Sequence, residues 1–512
     1  MGRSGMATDT HRICVVIGRT RHKMVAIEIQ EATKRGASFL ELRLDFIAKA
    51  PDLKRMLAVK PCRMMATVRR PQDGGRWGGS EDARKMLLKQ CIVGGFDWVD
   101  LETDIADEIR RFKDVKRVVS YHNLNDFPED LEDIYERMSK QDADVLKIVV
   151  SARSLADNIR VLNLYQNATK PTVAFCSGEI GFPSRLLSLK YGAPFTYAAF
   201  NKERGVAPGM PSFDELLRTY PTDSIDVATR IYGVVGDPVA HSMSPLVHNA
   251  AFRKHGINAL YLPFRVPRGQ LSAFLETYSE IPVDGYSVTI PHKEAAAAAS
   301  HTRNPTVETT HAANTLIRRP HGFHAENTDY QAALDALKHH LMKGPSRQAT
   351  DLHKRMVLIL GAGGAARAIA HALHREGAIV HIANRTVERA EKLADEIGGE
   401  SLDWNARHKE GCDIVFNCTP VGMHPNVDES PIHASYLRPD MIVFDTVYTP
   451  ETTMLIREAR NRGAQTVTGV EMFVRQAGLQ FHHFTGLEPP LDLMSQVLRR
   501  AISPVTIKED DV

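Results

Sequence analysis

The chain has 512 residues, of which 43% are hydrophobic and 25% charged, with a formal net charge of +2. That length exceeds one ordinary core and implies roughly two to four domains. The near-neutral balance gives no reason to expect nucleic acid or an anionic membrane as the main partner, so small molecules or other subunits are expected.

Six cysteines (Cys14, Cys62, Cys91, Cys176, Cys412, Cys418) are scattered without a CxxC pair, which indicates neither a zinc site nor a disulfide framework. A reducing cytoplasm fits this usage, or a plastid stroma if a transit peptide has been removed. No apolar run approaches a membrane span, and the start MGRSGMATDTHR lacks the apolar core of a secretory signal. That start and the acidic end KEDDV read as disordered ends.

From residue 12 to about 200, β-rich runs alternate with stretches of helical period. The runs are RICVVIGR, FLELRLDF, RMMATVRR, FDWVDLET, RVVSYH, DVLKIVV, PTVAFCS and FTYAAF, and helical segments such as PEDLEDIYERM and SLADNIRVLNLY lie between them. This pattern predicts a (β/α)8 barrel. The same alternation permits an open parallel sheet, but no glycine-rich phosphate turn accompanies it, which favours the barrel.

Alternate strand residues face opposite sides. In LELRLD, Leu40, Leu42 and Leu44 share one face and Glu41, Arg43 and Asp45 the other, a polar row suited to a lumen. Arg69, His122 and Lys147 extend that polarity toward the C-terminal strand ends, where barrel enzymes keep their sites. An ammonium among Val145, Leu146, Ile148, Val149 and Val150 costs roughly several kcal/mol unless paired or neutralised.

A low-dielectric lumen with nearby cations lowers a lysine pKa, so that neutral amine can attack a ketone and form a Schiff base. Histidine moves protons near neutral pH, and arginines hold a carboxylate by a bidentate fork. Singly, a strand lysine usually snorkels to water and a lone histidine is usually structural. Together they suit chemistry on an anionic carbonyl compound.

The polar, proline-started segment PTDSIDVATR predicts a linker at 221–228, and IYGVVGDP begins a new run of strands and helices. Ser242, Ser244, Thr289, Asn314 and Gln476 offer hydroxyls and amides able to read a polyol carboxylate. Lys293 and Asp329 form a candidate proton-transfer pair. In GAGGAARAIAHAL, after the strand MVLILG, the residues Gly361, Ala362, Gly363, Gly364 and Ala365 let the backbone approach a pyrophosphate at a helix N-terminus. At the end of AIVHIANRT, where an NAD enzyme offers Asp or Glu, stand Asn384, Arg385 and Thr386. A cation there suits a 2′-phosphate, so NADP is the expected cofactor and no metal is expected.

ELRLD, TVRRPQDGG, SYHN, DVLKI, PSRL and APG occur in this order over residues 12 to 220, and this half resembles type I 3-dehydroquinate dehydratase. The resemblance implies Lys147 as imine lysine and His122 as proton shuttle, with Glu41, Arg43, Arg69 and Arg185 binding substrate. Where that family usually has a glutamate partnering the histidine, this chain has Asp73. Where its closing loop usually reads Ser-Ala-Pro-Gly-Gln, this chain reads VAPGM, with Val206 and Met210 in place of a hydroxyl and an amide.

DPVAHSMSPLVHN, GYSVTIPHK, HAANTL, ENTDY, GAGGAAR, NRT, NCTPVGM, VYTP and GVEMFVRQAGLQ together resemble shikimate dehydrogenase over roughly residues 229 to 505. By that resemblance Lys293 and Asp329 are catalytic, and Ser242, Ser244 and Tyr448 lie at the substrate carboxylate. Thr289, Asn314, Asp329 and Gln476 meet the ring hydroxyls, and Thr419, Met423 and Gly469 join the cofactor positions. Both serines of HSMS and the threonine of VTIPHK favour shikimate over quinate as the alcohol. THAAN stands where the Ile-Gly-Ala-Val-Asn form is common, a change in loop packing rather than chemistry.

The expected architecture is α/β. It comprises a (β/α)8 barrel at 10–220, the linker at 221–228, a shikimate-binding domain at 229–333 and 478–505, and a Rossmann NADP-binding domain at 334–477. The whole chain resembles fused enzymes that carry 3-dehydroquinate through 3-dehydroshikimate to shikimate. Two alternatives stay open at this stage: a weakly active or non-catalytic regulatory barrel beside the dehydrogenase, and quinate as the dehydrogenase substrate.

Overall fold

The computed structural model describes residues 12–207, 209–342, 351–408 and 411–503. The expected disordered start, the acidic KEDDV end and Pro208 of the APG motif lie outside the described residues. By its internal contacts the chain divides into two compact units. One runs to Ile231 with Asn258–Val266 and Ala273–Pro282, and the other holds Tyr232–Ile257, Pro267–Ser272 and the residues from Val283 onward.

The eight β-rich runs form strands β1 Ile13–Ile17, β2 Phe39–Arg43, β3 Arg63–Thr67, β4 Trp98–Glu102, β5 Lys116–Asn123, β6 Val145–Ser151, β7 Thr172–Ser177 and β8 Thr196–Ala199. Their order is β7-β6-β5-β4-β3-β2-β1-β8, and β1 pairs in parallel with both β2 and β8. The sheet therefore wraps into a near-closed parallel barrel, the alternative of an open sheet being excluded. Phe39, Trp98 and Phe195 fill the N-terminal part of the lumen, with Phe39 5.5 Å from Trp98 and 5.1 Å from Phe195 between ring centroids. From there the inward rows turn polar: Glu41 and Arg43 follow Phe39, Asp100 and Glu102 follow Trp98, and Ser120 and His122 follow Val118.

The segment expected as a free linker is tied down. Arg12 Nη1 donates to the Ile225 carbonyl (2.6 Å), and Lys190 Nζ to those of Thr229 (2.9 Å) and Val227.

Six further strands, β9 Arg230–Gly236, β10 Ala259–Arg265, β11 Val283–Val288, β12 Thr302–Arg303, β13 Thr315–Arg319 and β14 Gly322–Glu326, form a mixed sheet in the order β10-β9-β11-β13-β14-β12. The last six are β15 Met356–Leu360, β16 Ile379–Ala383, β17 Glu400–Leu402, β18 Ile414–Asn417, β19 Ile442–Asp445 and β20 Gln465–Val467. They are parallel in the order β17-β16-β15-β18-β19-β20, the doubly wound arrangement expected of a dinucleotide fold.

Two helices join these sheets. Thr328–Met342 carries Asp329 at its first turn and sends Ala333, Leu337 and Leu341 into the core of the parallel sheet. Gly469–Thr485 gives Met472 to that same core, and at its other end Tyr232 Oη of β9 donates to the Phe484 carbonyl (3.2 Å). The expected boundaries at 333/334 and 477/478 thus fall inside continuous helices. Among the described residues no helix is long and apolar enough to cross a membrane.

Phe416 of β18 is fully buried and stacks on Phe444 of β19 at 4.6 Å. Phe416→Ala should destabilise this sheet by about 3–5 kcal/mol. The check is the urea midpoint of the unfolding transition that NADPH shifts upward; an unchanged midpoint would contradict the packing described.

Candidate active site

Two cavities gather the sequence-derived candidates, one in each unit. The first lies at the C-terminal ends of the barrel strands, walled by Glu41, Arg43, Arg69, Asp73, His122, Lys147, Arg185 and Tyr197, with Val206, Ala207 and Met210 over it. Its volume is about 40 Å³.

Lys147 occupies the middle of β6, where the pleat turns Val145, Lys147 and Val149 to the lumen. Its ammonium donates to Asp100 Oδ2 (3.1 Å), lies 3.7 Å from Glu41 Oε2 and sits 4.0 Å from the centroid of the Tyr197 ring. Asp100 is shared, since Arg69 Nη2 donates to the same oxygen (2.7 Å) and Ser120 Oγ to the other (2.5 Å). Burial would push the Asp100 carboxyl up, but Arg69, then Lys147, outweigh it and hold it ionised well below the usual carboxylate range.

His122 Nδ1 is 2.9 Å from Arg69 Nη1. A guanidinium only donates, so Nδ1 accepts and the neutral ring carries its proton on Nε2. Burial first, then Arg69 and Lys147, push the imidazole well below its ordinary value. Arg43 makes a bidentate pair with Asp45 (2.9 and 2.8 Å), which also accepts from the Arg76 amide.

Arg185 differs from the other lumen arginines. It is 2% exposed, lies 4.1 Å from the Phe175 ring centroid, donates from Nη1 to the Tyr197 carbonyl (3.2 Å), leaves Nε without a partner and has no carboxylate beside it among the described residues. Burial lowers its pKa.

Asp73, expected beside His122, lies on the cavity wall but gives its carboxylate to Arg70 Nε (2.7 Å). The next residue but one constrains this turn, since a Cβ on Gly75 would stand 2.0 Å from the Arg69 carbonyl oxygen. Sequence reasoning missed Asp100, Glu102 and Tyr197. The alternation test that exposed LELRLD finds the first two in WVDLE.

The second cavity, about 630 Å³, is lined by Ser242, Ser244, Thr289, Lys293, Asn314, Asp329, Tyr448 and Gln476, together with Ala362, Gly363, Gly364, Ala365 and Gly469. Lys293 Nζ donates to Asp329 Oδ2 (2.5 Å), and Asn314 Nδ2 to Asp329 Oδ1 (3.0 Å). Asn314 also accepts from the Thr328 amide (2.8 Å), so one amide side chain fixes both the helix start and the carboxylate. Gln480, which the sequence reading passed over, accepts from Ser287 Oγ (2.8 Å) and donates to the Asn314 carbonyl (3.0 Å). Burial raises the Tyr448 phenol, whose ring packs on Phe473 at 4.7 Å.

The dinucleotide turn is present as a cradle. Gly361 has φ +110, and a Cβ there would stand 3.0 Å from the Cys418 carbonyl oxygen; Gly363 has open space where a Cβ would be, at the start of the helix Gly364–Arg375. Arg268, Arg389 and Lys392 also line the cavity, and their side chains have no acidic partner among the described residues. These features fit the phosphates of NADP. Gly361, Asn384, Arg385, Thr386, Thr419 and Met423 are not on the cavity wall. Asn384 Nδ2 instead donates to the Thr386 carbonyl (2.8 Å), and Thr419 Oγ1 to Asn417 Oδ1 (2.6 Å). Among the described residues no group of His, Cys, Asp or Glu could hold a metal.

Comparison with known proteins gives four family matches along the chain. Type I 3-dehydroquinase covers residues 13–227, and the shikimate dehydrogenase substrate binding domain covers 234–316. Shikimate / quinate 5-dehydrogenase covers 345–445, and the shikimate 5′-dehydrogenase C-terminal domain covers 469–499. The bifunctional 3-dehydroquinate dehydratase/shikimate dehydrogenase, chloroplastic, of Arabidopsis thaliana is 36% identical over 98% of this chain and 86% of its own length. The shikimate biosynthesis protein AroDE of Chlamydia pneumoniae is 32% identical over 75% of this chain and 77% of its own. A crystal structure of a shikimate dehydrogenase in complex with NADP+ matches 54% of this chain and 97% of its own with a TM-score of 0.51 at 34% identity.

His122 binds a proton less readily in the fold than in the unfolded chain. Its contribution to stability is therefore complete above the unfolded value of about 6.5 and is lost as pH falls from there toward the depressed folded value. NMR should show the His122 ring still neutral at pH 6, and His122→Gln should flatten the acid loss of barrel stability below that pH. An ordinary titration midpoint for this ring would contradict the lumen electrostatics.

Proposed function

This chain belongs to the family of bifunctional 3-dehydroquinate dehydratase/shikimate dehydrogenases, and we propose that the residues gathered in its two cavities carry out both reactions in sequence. The barrel dehydrates 3-dehydroquinate to 3-dehydroshikimate, and the second unit reduces that ketone to shikimate with NADPH. The observation that carries the reading is one lysine per cavity paired to an aspartate: Lys147, buried, to Asp100 and Lys293, half-buried, to Asp329.

In the lumen, Lys147 Nζ attacks the substrate ketone as the protons its ammonium gives up pass to the ketone oxygen, and that oxygen leaves as water to give an iminium. Asp100, held ionised, faces cationic nitrogen before attack and again after the iminium forms. Arg185 takes the substrate carboxylate. As Arg69 turns its hydrogen bond to bound substrate, His122 Nδ1 becomes free to remove the proton beside the iminium. That proton then leaves with the β-hydroxyl as water, and hydrolysis of the imine regenerates Lys147.

In the second unit, bound NADPH supplies a hydride to the ketone carbon. Lys293 gives its proton to the oxygen as the alkoxide forms, while Asp329, fixed by Asn314, orients the ammonium. Ser242, Ser244 and Tyr448 suit the carboxylate, and Thr289, Asn314 and Gln476 the ring hydroxyls. Ala362–Ala365 and the wall cations Arg389 and Lys392 suit the pyrophosphate and 2′-phosphate, with Arg385 at the neighbouring strand end. Six free thiols suit a reducing cytoplasm or plastid stroma.

A non-catalytic barrel remains a second reading because of one observation. Val206 and Met210 pack on the lumen core and leave a cavity of about 40 Å³, room for a few waters but not for a six-membered ring. A substrate ring enters only when these two side chains withdraw.

Purified protein given 3-dehydroquinate and NADPH should form both 3-dehydroshikimate and shikimate, and borohydride added with 3-dehydroquinate should modify Lys147. Shikimate formed only from added 3-dehydroshikimate, with no lysine adduct, would leave the barrel non-catalytic. Lys293→Met should lower ketone reduction by about 10²- to 10⁴-fold with little change in NADPH affinity by fluorescence titration. Undiminished turnover in that variant would remove Lys293 from the mechanism.

A further inference from the structure

Tyr197 is the lumen residue whose chemistry is left unused. It stands on β8, is 1% exposed, lines the barrel cavity and presents its ring face to the Lys147 ammonium at 4.0 Å. Phe175 at 6.5 Å and Phe195 at 5.5 Å hold the ring from the sides. Its hydroxyl is buried and has no hydrogen-bond partner among the described residues.

A phenylalanine would supply the same face to the ammonium and the same packing against Phe175 and Phe195. The hydroxyl adds nothing to either, and a buried hydroxyl without a partner weakens a fold rather than supporting it. Its position explains it. Tyr197 lines the same small cavity as Lys147 and as Arg185, whose Nε is likewise without a partner. Burial first, then Cys14, Glu41 and Asp100, keep the phenol protonated, so it is a donor at working pH.

We propose that Tyr197 is a further substrate-binding residue of the barrel, its hydroxyl donating a hydrogen bond to an oxygen of the bound hydroxylated ring carboxylate while its ring face holds the nitrogen of Lys147. The proposal rests on the dehydratase reading of the lumen. It divides recognition between two prepared donors, Arg185 for the carboxylate and Tyr197 for an oxygen nearer the reacting carbon.

Tyr197→Phe separates the two roles, since it keeps the ring and deletes the hydroxyl. The full-length variant should melt at the same temperature as wild type or higher in the absence of ligand. Its KM for 3-dehydroquinate should rise roughly three- to tenfold with kcat within about twofold, and borohydride should still trap the Lys147 adduct at saturating substrate. An unchanged KM overturns the proposal. A lower melting temperature also overturns it, because the hydroxyl is then satisfied within the protein. A wild type that forms no lysine adduct sinks the dehydratase reading instead, and the melting comparison still decides whether the hydroxyl is held within the fold.

Discussion

Each unit is organised around one lysine held by one aspartate, buried in the barrel and half-buried in the second unit. A lone ammonium in such a place is too costly to persist, and a lone carboxylate likewise. Pairing makes both tolerable, and removing one partner of a buried pair typically costs about 3–5 kcal/mol because the other charge stays behind. In the barrel the dependence is sharper, since Asp100 serves Lys147, Arg69 and Ser120 together. Losing that single carboxylate would leave Lys147 only the longer contact to Glu41 (3.7 Å) and Arg69 only that to Glu102 (3.5 Å). In the second unit Asn314 locks Asp329, so the pair is fixed in direction as well as charge.

The two pairs use the same contact for different chemistry because their surroundings differ. Lys147 is enclosed, with an aromatic face on one side and a second carboxylate 3.7 Å away, which suits a nitrogen that stays in place and becomes covalently bound to substrate. Lys293 lines a cavity of about 630 Å³ and lies against the glycine turn, where a Cβ on Gly364 would stand 3.0 Å from its Cδ. There the ammonium needs only to lend a proton. Volume and enclosure, more than the residue type, separate an imine lysine from a proton donor.

Much of this was legible in the sequence because alternation and turn chemistry are local. The eight strand runs, the polar row of LELRLD and the strand–turn–helix of GAGGAARAIAHAL depend on spacing alone, and the fold follows them. What spacing could not show is which side chains meet. Asp73 has the right position for a partner of His122, yet Arg70, three residues back, takes its carboxylate, while Arg69, just past the end of β3 and two strands away, reaches the imidazole. Likewise the NRT residues mark the end of β16, but the cations on the cavity wall are Arg389 and Lys392, one and two turns into the following helix, and Arg268 from a distant loop. The expected junctions at 333/334 and 477/478 could not be read as breaks because the helices Thr328–Met342 and Gly469–Thr485 run unbroken through them.

A distinction between paired and unpaired cations then orders both sites. Most buried arginines of the barrel are balanced within it: Arg43 by Asp45, Arg69 by Asp100, Arg84 by Glu81 and Glu102. Arg185 is not, and neither are Arg268, Arg389 and Lys392 in the second unit. Balanced cations set the shape and protonation of each cavity, whereas unbalanced ones retain attraction for an anion that arrives later. Both reactions require such an anion, a ring carboxylate in the lumen and a phosphorylated cofactor in the cleft. On the proposed reading, the paired lysines do the chemistry and the unpaired guanidinium and ammonium groups decide what is admitted to it.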